Sequence, residues 1–262
     1  MDPDRIFDDL EYIKAFERSR AIPRPLRDWY CYDLLRRLYP REIVRVLDVG
    51  AGVGQFLEPM VSTANGLDLI PTVTLLDPSP SMIEQLQRSN SHGVGRHELV
   101  MGTLEGLSGD RGTHDAILMS EVIHLMPDHQ VMADVVSGIV GDGVIGVRFG
   151  TPEQVATRDW YRWYPEAREI DVERSPALNA LLPSFQEAGL TCEVRVVDES
   201  RWIPTHVFQD MMANRAFSSF RLIDQSLHGR QSELMRTQTS GRSHSWLSYE
   251  MTWVLARRPI GV

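Results

Sequence analysis

Short, mainly apolar runs recur along this chain at intervals of helical length, and that rhythm leaves few folds open. The first is VRVLDVG, from residue 44 to 50. Such a run is too short for a helix and too uniformly apolar for a half-exposed strand, so it reads as a strand buried on both faces. The series continues with TVTLLD at 72–77, HELVMG at 97–102, DAILMS at 115–120 and VIGVRFG at 144–150. Helices are expected between these runs from Gln55 to Thr63, from Ser79 to Gln87 and from Asp128 to Val140. Buried strands joined by helical crossovers build right-handed βαβ units and a mainly parallel sheet. A helix at 176–190, a strand at 191–198 and a last strand within LSYEMTWVLAR bring the strand count to seven. The last one, so near the end of the chain, is expected as an antiparallel edge addition. The fold class expected is α/β, doubly wound.

Two stretches exceed what a crossover needs, 151–175 and 203–245. Insertions of this length in a compact domain are usually functional or disordered, which makes both candidates for covering a substrate. At the other end, Ile6, Leu10, Ile13 and Phe16 recur near helical spacing. Pro23 and Pro25 interrupt that pattern, and LRDWYCYDLLRRLYP resumes it. The division expected is an N-terminal helical lid over residues 1–40 and an α/β domain over 41–262 carrying the two insertions.

Composition removes several classes of function. Asp and Glu outnumber Lys and Arg by 36 to 27, and the net charge of −9 repels a polyanion. Duplex binding needs several phosphates neutralised together, so a nucleic-acid partner is not expected. Cys31 and Cys192 lie in apolar segments at no metal-ligand spacing and read as reduced core residues. The N-terminus is acidic without an apolar stretch, unlike a signal peptide, and no run has the length of a membrane span. A cytoplasmic protein without a membrane partner is expected; nothing in the sequence bears on oligomeric state.

The chemistry is written most plainly in VLDVGAGVG, residues 46–54. A buried strand delivers the chain to Gly50, Gly52 and Gly54 and then to a helix. Glycines there allow positive φ and close approach of backbone N–H groups to a ligand, and a helix start offers unpaired donors to an anion. The same turn can also serve only to close a tight strand–helix junction. Asp77 weighs for a ligand: it ends the next strand, 23 positions after Gly54, where a carboxylate reaches a ribose hydroxyl pair. The glycine spacing is G-x-G-x-G, not the G-x-G-x-x-G of dinucleotide enzymes.

Taken in order, LDVGAGVG, LLDPSPSMI, GTLEGL and HDAILMSEVIHLMPD resemble the motif series of class I S-adenosylmethionine-dependent methyltransferases, within their bacterial small-molecule branch. The resemblance runs from about residue 43 to 150 and implies S-adenosylmethionine as cofactor. It implies that Asp48 and the backbone of Gly50, Ala51 and Gly52, with Gly54 completing the turn, hold the methionine amino and carboxylate ends. Asp77 would take both ribose hydroxyls, Ser79 and Met82 would border the adenine, and Thr103 and Leu104 would meet its edge. Many relatives carry Asp where this chain has Thr103. Ser120 and Glu121 would lie beside the methionine portion.

Methyl transfer from a sulfonium is an in-line displacement, promoted by alignment and by removal of an acceptor proton where there is one. His124 and Glu121 are the candidate catalytic residues. His124 either accepts that proton, since imidazole titrates near neutrality, or merely bonds its own loop. His124 and His129 do not share a helical face and lack a nearby carboxylate, so no metal is expected. His92, His97 and His114 read as loop or strand-edge residues. Tyr30, Trp160, Trp163 and Tyr164 are candidate acceptor-binding residues, because aromatic rings give rigid walls and can face a cation; ordinary packing explains them equally well. Arg215 and Arg221 suit either an acidic substrate or a salt bridge between helices. Three activities remain: methyl transfer to a small metabolite, a non-methylating reaction such as a cyclisation on the same fold, and, least favoured, nucleic-acid methylation. The Asn/Asp-Pro-Pro-aromatic motif common to the last is replaced here by SEVI.

Overall fold

A computed structural model describes residues 22–89, 95–109, 111–126 and 128–259 together with Ile13. Ile6, Leu10, Phe16, His92 and Pro127 lie outside the described residues. The chain divides into two compact units. The sheet unit takes Ile22–Phe149, Pro176–Arg195 and Thr252–Val262, and the inserted unit takes Met1–Ala21, Gly150–Ser175 and Val196–Met251.

The described chain enters the sheet unit with helix α1 (Arg24–Leu35). The two prolines stand at its start, Pro23 as N-cap and Pro25 in the first turn, where a missing N–H leaves nothing unpaired. Then follow β1 (Ile43–Val49), α2 (Leu57–Gly66), β2 (Ile70–Asp77), α3 (Pro80–Ser89), β3 (Arg96–Met101), β4 (Ala116–Ser120), α4 (His129–Val140) and β5 (Val144–Phe149). The chain leaves for the inserted unit with α5 (Pro152–Ala156) and α6 (Pro165–Arg174), and returns with α7 (Leu178–Glu187) and β6 (Thr191–Asp198). A second excursion holds β7 (Arg201–Pro204), α8 (Thr205–Ala213), α9 (Ser218–Leu222), α10 (Gln225–Thr239) and β8 (His244–Leu247). Strand β9 (Glu250–Arg257) closes the fold.

The seven strands are ordered β3-β2-β1-β4-β5-β9-β6. The pairs from β3 through β5 are parallel, and β9 runs antiparallel to β5. The last strand is thus antiparallel, as expected, but it lies one place in from the edge. Its residues from Met251 to Ala256 are buried throughout, which demands neighbours on both sides, whereas β6 is largely exposed and suits the edge. Leu47, Val49, Ile117, Met119, Ile145 and Val147 pack with Val136 of α4 and Phe185 of α7 to form the main core. Strand order reverses between β1 and β4, so a crevice opens beyond their carboxyl ends, the usual ligand site of such sheets.

The inserted unit has its own core, rich in aromatic side chains from Trp160 to Phe220. The stretch at 203–245, expected as one long helical region, is broken into three helices and bracketed by a two-stranded ribbon that pairs Trp202 with Trp246. Each ribbon strand is four residues long and its partner is remote in sequence, so local alternation could not announce it. Among the described residues, no helix is long and apolar enough to cross a membrane.

Candidate functional site

Beyond Val49 the chain turns through Gly50, Gly52 and Gly54 with φ of +66°, +55° and +75°. The turn's N–H groups were expected to face a ligand, and here the structure corrects the sequence. The N–H groups of Gly50 and Ala51 both donate to the Leu76 carbonyl (2.8 and 3.1 Å), that of Gly52 to Asp77 Oδ2 (2.8 Å), and that of Gly54 to the Ala51 carbonyl (2.9 Å). What the turn offers is space. A Cβ on Gly52 would meet nothing nearer than the Gly50 carbonyl at 4.0 Å, whereas one on Gly50 would strike Val122 Cγ2 at 2.5 Å. Gly50 therefore serves the packing of the 120s loop against the turn, and Gly52 keeps a face open.

Two carboxylates flank that face. Asp77, at the end of β2, accepts from Gly52 N–H on one oxygen and from Ser79 N–H on the other (2.9 Å). Both bonds are internal and fix its plane, and a carboxylate still has lone pairs for two further donors. Ser79 accepts in turn from Met82 N–H (3.3 Å), which anchors the start of α3 and buries Met82. Asp48 lies on β1 in register with Leu75, 3% exposed. No hydrogen bond to its side chain is found among the described residues, and burial, then the neighbouring charge of Asp77, push its pKa up to about 8. A buried carboxylate without a donor is costly unless a cation joins it.

These features fit the cofactor that the motifs imply: an ammonium for Asp48, a hydroxyl pair for Asp77, and room at Gly52 for the chain between them. Leu104 opens a short 3₁₀ turn and buries its side chain in the sheet core, while Thr103 before it is exposed. Helix α1 is tied to the start of α2: Ile22 N–H donates to Gln55 Oε1 (3.0 Å), Arg27 Nη1 donates to the Gln55 carbonyl (2.6 Å), and Arg24 pairs with Glu58. Expected as part of a lid, α1 belongs to the sheet unit.

On the far side of the crevice, Ser120 ends β4 and Glu121 follows with φ of +54°, a left-handed conformation uncommon outside glycine. Arg148, on β5 in register with Ser120, holds that turn. Its carbonyl accepts Glu121 N–H (2.7 Å), its Nη1 donates to Ser120 Oγ (3.3 Å), and the same nitrogen stands 3.4 Å from the Glu121 carboxylate. The guanidinium is 1% exposed and lies over the Tyr30 ring, 5.7 Å from its centroid. Tyr30 packs edge-on against Trp253, whose indole N–H donates to Asp33 (3.0 Å). Sequence reasoning missed Arg148, although a lone charge in the apolar run VIGVRF was the signal to follow. His124 is half-buried in a short 3₁₀ turn. His114 lies in the loop that leads into β4, with Thr113 and Thr74 as partners (3.0 and 3.3 Å).

The structure gathers Trp160, Trp163 and Tyr164 in the core of the inserted unit, while Tyr30 belongs to the sheet unit. Trp163 N–H donates to Gln238 (2.7 Å), and the Tyr164 hydroxyl pairs with Ser232 (3.0 Å). Trp160 is stacked between Phe217 and Tyr249, centroids 5.1 and 5.7 Å away. Its indole N–H, fully buried, has no acceptor among the described residues. Arg215 donates to the carbonyls of Phe220 and Ile223 (2.6 and 2.7 Å) and so caps α9, and among the described residues it forms no salt bridge between helices. Among the described residues, no three His, Cys, Asp or Glu side chains converge on a metal position.

Residues 46–139 match the family model described as a methyltransferase domain. Over 116 residues, 44% of this chain, the sequence is 32% identical to the ubiquinone biosynthesis O-methyltransferase of Methylocella silvestris, of which the match spans 37%. An uncharacterised methyltransferase of Mycobacterium bovis is 26% identical over 78% of this chain and 75% of its own length. In structure, the chain is similar to a protein of Anabaena variabilis described as a methyltransferase from an antibiotic biosynthesis pathway. The TM-score is 0.64 at 18% identity, covering 90% of this chain and 98% of the other, which speaks for the fold.

Proposed function

We propose, from the chain's membership of the class I S-adenosylmethionine-dependent methyltransferases, that it transfers the cofactor's methyl group to a small-molecule acceptor of secondary metabolism. The observation that carries the reading is the pairing of an open Gly52 face with two buried carboxylates, one locked by backbone donors and one lacking them. When bound, the cofactor supplies an electrophilic methyl group on a sulfonium sulfur. The chain's own residues then bind and align: Asp48 takes the ammonium, Asp77 the ribose hydroxyls, and Ser79, Met82, Thr103 and Leu104 border the adenine. His124 takes the acceptor's proton where the acceptor carries one. Acceptor choice is assigned to the additions outside the cofactor motifs, in the stretches 151–175 and 203–245, and Trp160 is their best candidate because its buried N–H still lacks an acceptor. The net charge of −9 supports a small acceptor over a nucleic acid.

The test is incubation of the protein with methyl-labelled S-adenosylmethionine and pooled small-molecule extracts, read by mass spectrometry. Label appearing in a low-mass product supports the reading. Transformation of a substrate without label would replace it with a non-methylating reaction such as a cyclisation.

A further inference from the structure

Of the three acidic side chains around the crevice, Asp48 and Asp77 come from β1 and β2, on one side of the point where strand order reverses. Glu121 comes from the other side. Its neighbour Val122 fills the space above Gly50, so the 121–122 segment lies directly against the glycine turn. The parallel register of β1 with β4, Val49 opposite Met119, carries Ser120 and Glu121 to the level of that turn. Unlike Asp48, Glu121 has a built-in counter-ion: Arg148 pairs with its carboxylate, accepts its N–H and holds the preceding Ser120. The carboxylate stays 23% exposed while the guanidinium is sealed at 1%. Glu121 is thus fixed in a left-handed conformation by two contacts to Arg148 and a third made through Ser120, and only the acidic partner reaches solvent.

We propose that Glu121 reads the charge on the cofactor's sulfur, favouring the sulfonium of S-adenosylmethionine over the neutral thioether of S-adenosylhomocysteine, and that Arg148 is the positioning residue that sets the strength of this preference. The inference rests on the reading that the methionine portion lies along the Gly50–Gly52 turn. The two molecules share the ammonium and the ribose hydroxyls, so Asp48 and Asp77 hold both alike. They differ in the methyl group and in one unit of charge: when the S–CH₃ bond breaks, its electron pair remains on sulfur and the positive charge disappears. A carboxylate beside the sulfur therefore loosens its hold on the product as soon as transfer is complete. Arg148 opposes that attraction in part, since its own cation lies behind the same carboxylate.

The experiment is calorimetric titration of the whole protein with S-adenosylmethionine and, separately, with S-adenosylhomocysteine, which needs no acceptor. In Glu121→Gln the preference for the sulfonium should fall by about tenfold, the factor equivalent to 1.4 kcal/mol. Unit charges a few ångströms apart at a partly buried site readily exert that much. Affinity for S-adenosylhomocysteine should hold within about threefold. Arg148→Met should raise the preference, because the carboxylate then acts uncompensated, and Arg148→Lys should restore the wild-type ratio; a merely structural role for Arg148 would weaken both ligands together. Should Glu121→Gln fail to fold around an unpaired guanidinium, the double variant Glu121→Gln/Arg148→Met, which removes both charges, should show the same loss of preference. An equal loss of both ligands, or an unchanged ratio, overturns the proposal while the cofactor site stands. Failure of the wild type to bind either molecule overturns the site reading and the proposal together.

Discussion

Cofactor binding should expel a proton, and Asp48 is its source. Burial and the charge of Asp77 push this carboxyl up to about 8, so at pH 7 about nine-tenths of the free protein carries the proton. An ammonium placed beside a carboxylate lowers its pKa by about 1–3, which brings Asp48 to between about 5 and 7 in the complex. The difference in occupancy at pH 7 is a release of about 0.4–0.9 proton per cofactor bound. Titration calorimetry at pH 7 in phosphate and in Tris measures this directly, as the slope of observed enthalpy against buffer ionisation enthalpy. Affinity should also climb as pH rises from about 6 to 7.5, because ever less work is spent removing the proton. Asp48→Asn should abolish both effects. A slope indistinguishable from zero in the wild type, or an equal slope in Asp48→Asn, would refute the reasoning. Stability has the corresponding sign. A pKa raised by folding contributes stability that is complete below the unfolded value of 3.8 and is lost as pH rises toward 8. The cofactor-free wild type should therefore lose stability across that window relative to Asp48→Asn, read as diverging thermal midpoints.

Other expectations follow from the same contacts. Gly52→Val should fold, at a cost of roughly 1–2 kcal/mol for its left-handed backbone, yet bind cofactor undetectably by calorimetry, whereas Gly50→Ala should chiefly lower the thermal midpoint by striking Val122. If His124 is the proton acceptor, His124→Ala should lower the maximal rate by about 10²–10⁴-fold with cofactor affinity nearly unchanged; a normal rate with the same pH profile would reject the base. His228 is pushed down to about 4 by burial, then by Arg215, against the Met212 carbonyl it contacts at 3.1 Å. Its contribution is present above the unfolded pKa of 6.5 and lost as pH falls toward 4, so His228→Phe should flatten that part of an acid-unfolding curve followed by tryptophan fluorescence.

The sheet was legible because its central strands are buried on both faces and therefore carry mainly apolar runs; VLDV, AILM and VIGV leave little choice. The glycine turn was legible as a turn, but the fate of its N–H groups was not. Which carbonyl they meet depends on how β2 lies against β1, and the sequence holds no trace of Leu76 as the acceptor. Asp48 and Asp77 look alike in sequence, both acidic at the end of an apolar run. Only three-dimensional placement separates a carboxylate bonded by two backbone donors from one that has none. Arg148 escaped notice for a related reason: its partners are the end of another strand and a ring from α1, contacts made across long sequence separations. The aromatic residues of 158–168 announced apolar surface but not its destination, since a stacked core and a ligand wall use the same rings.

Strand β9 has a consequence for how the sheet assembles. It comes after the other six along the chain, yet its place is inside the sheet, between β5 and β6. Until β9 docks, β5 has a partner on one side only and offers a largely apolar edge, Val144–Phe149, to any other strand nearby. Strand β6 has no seat at all before β9 arrives. Completion of the sheet therefore waits on β9, and a chain without residues 250–257 is left with a sticky edge and a stray strand, a target for chaperones and proteases.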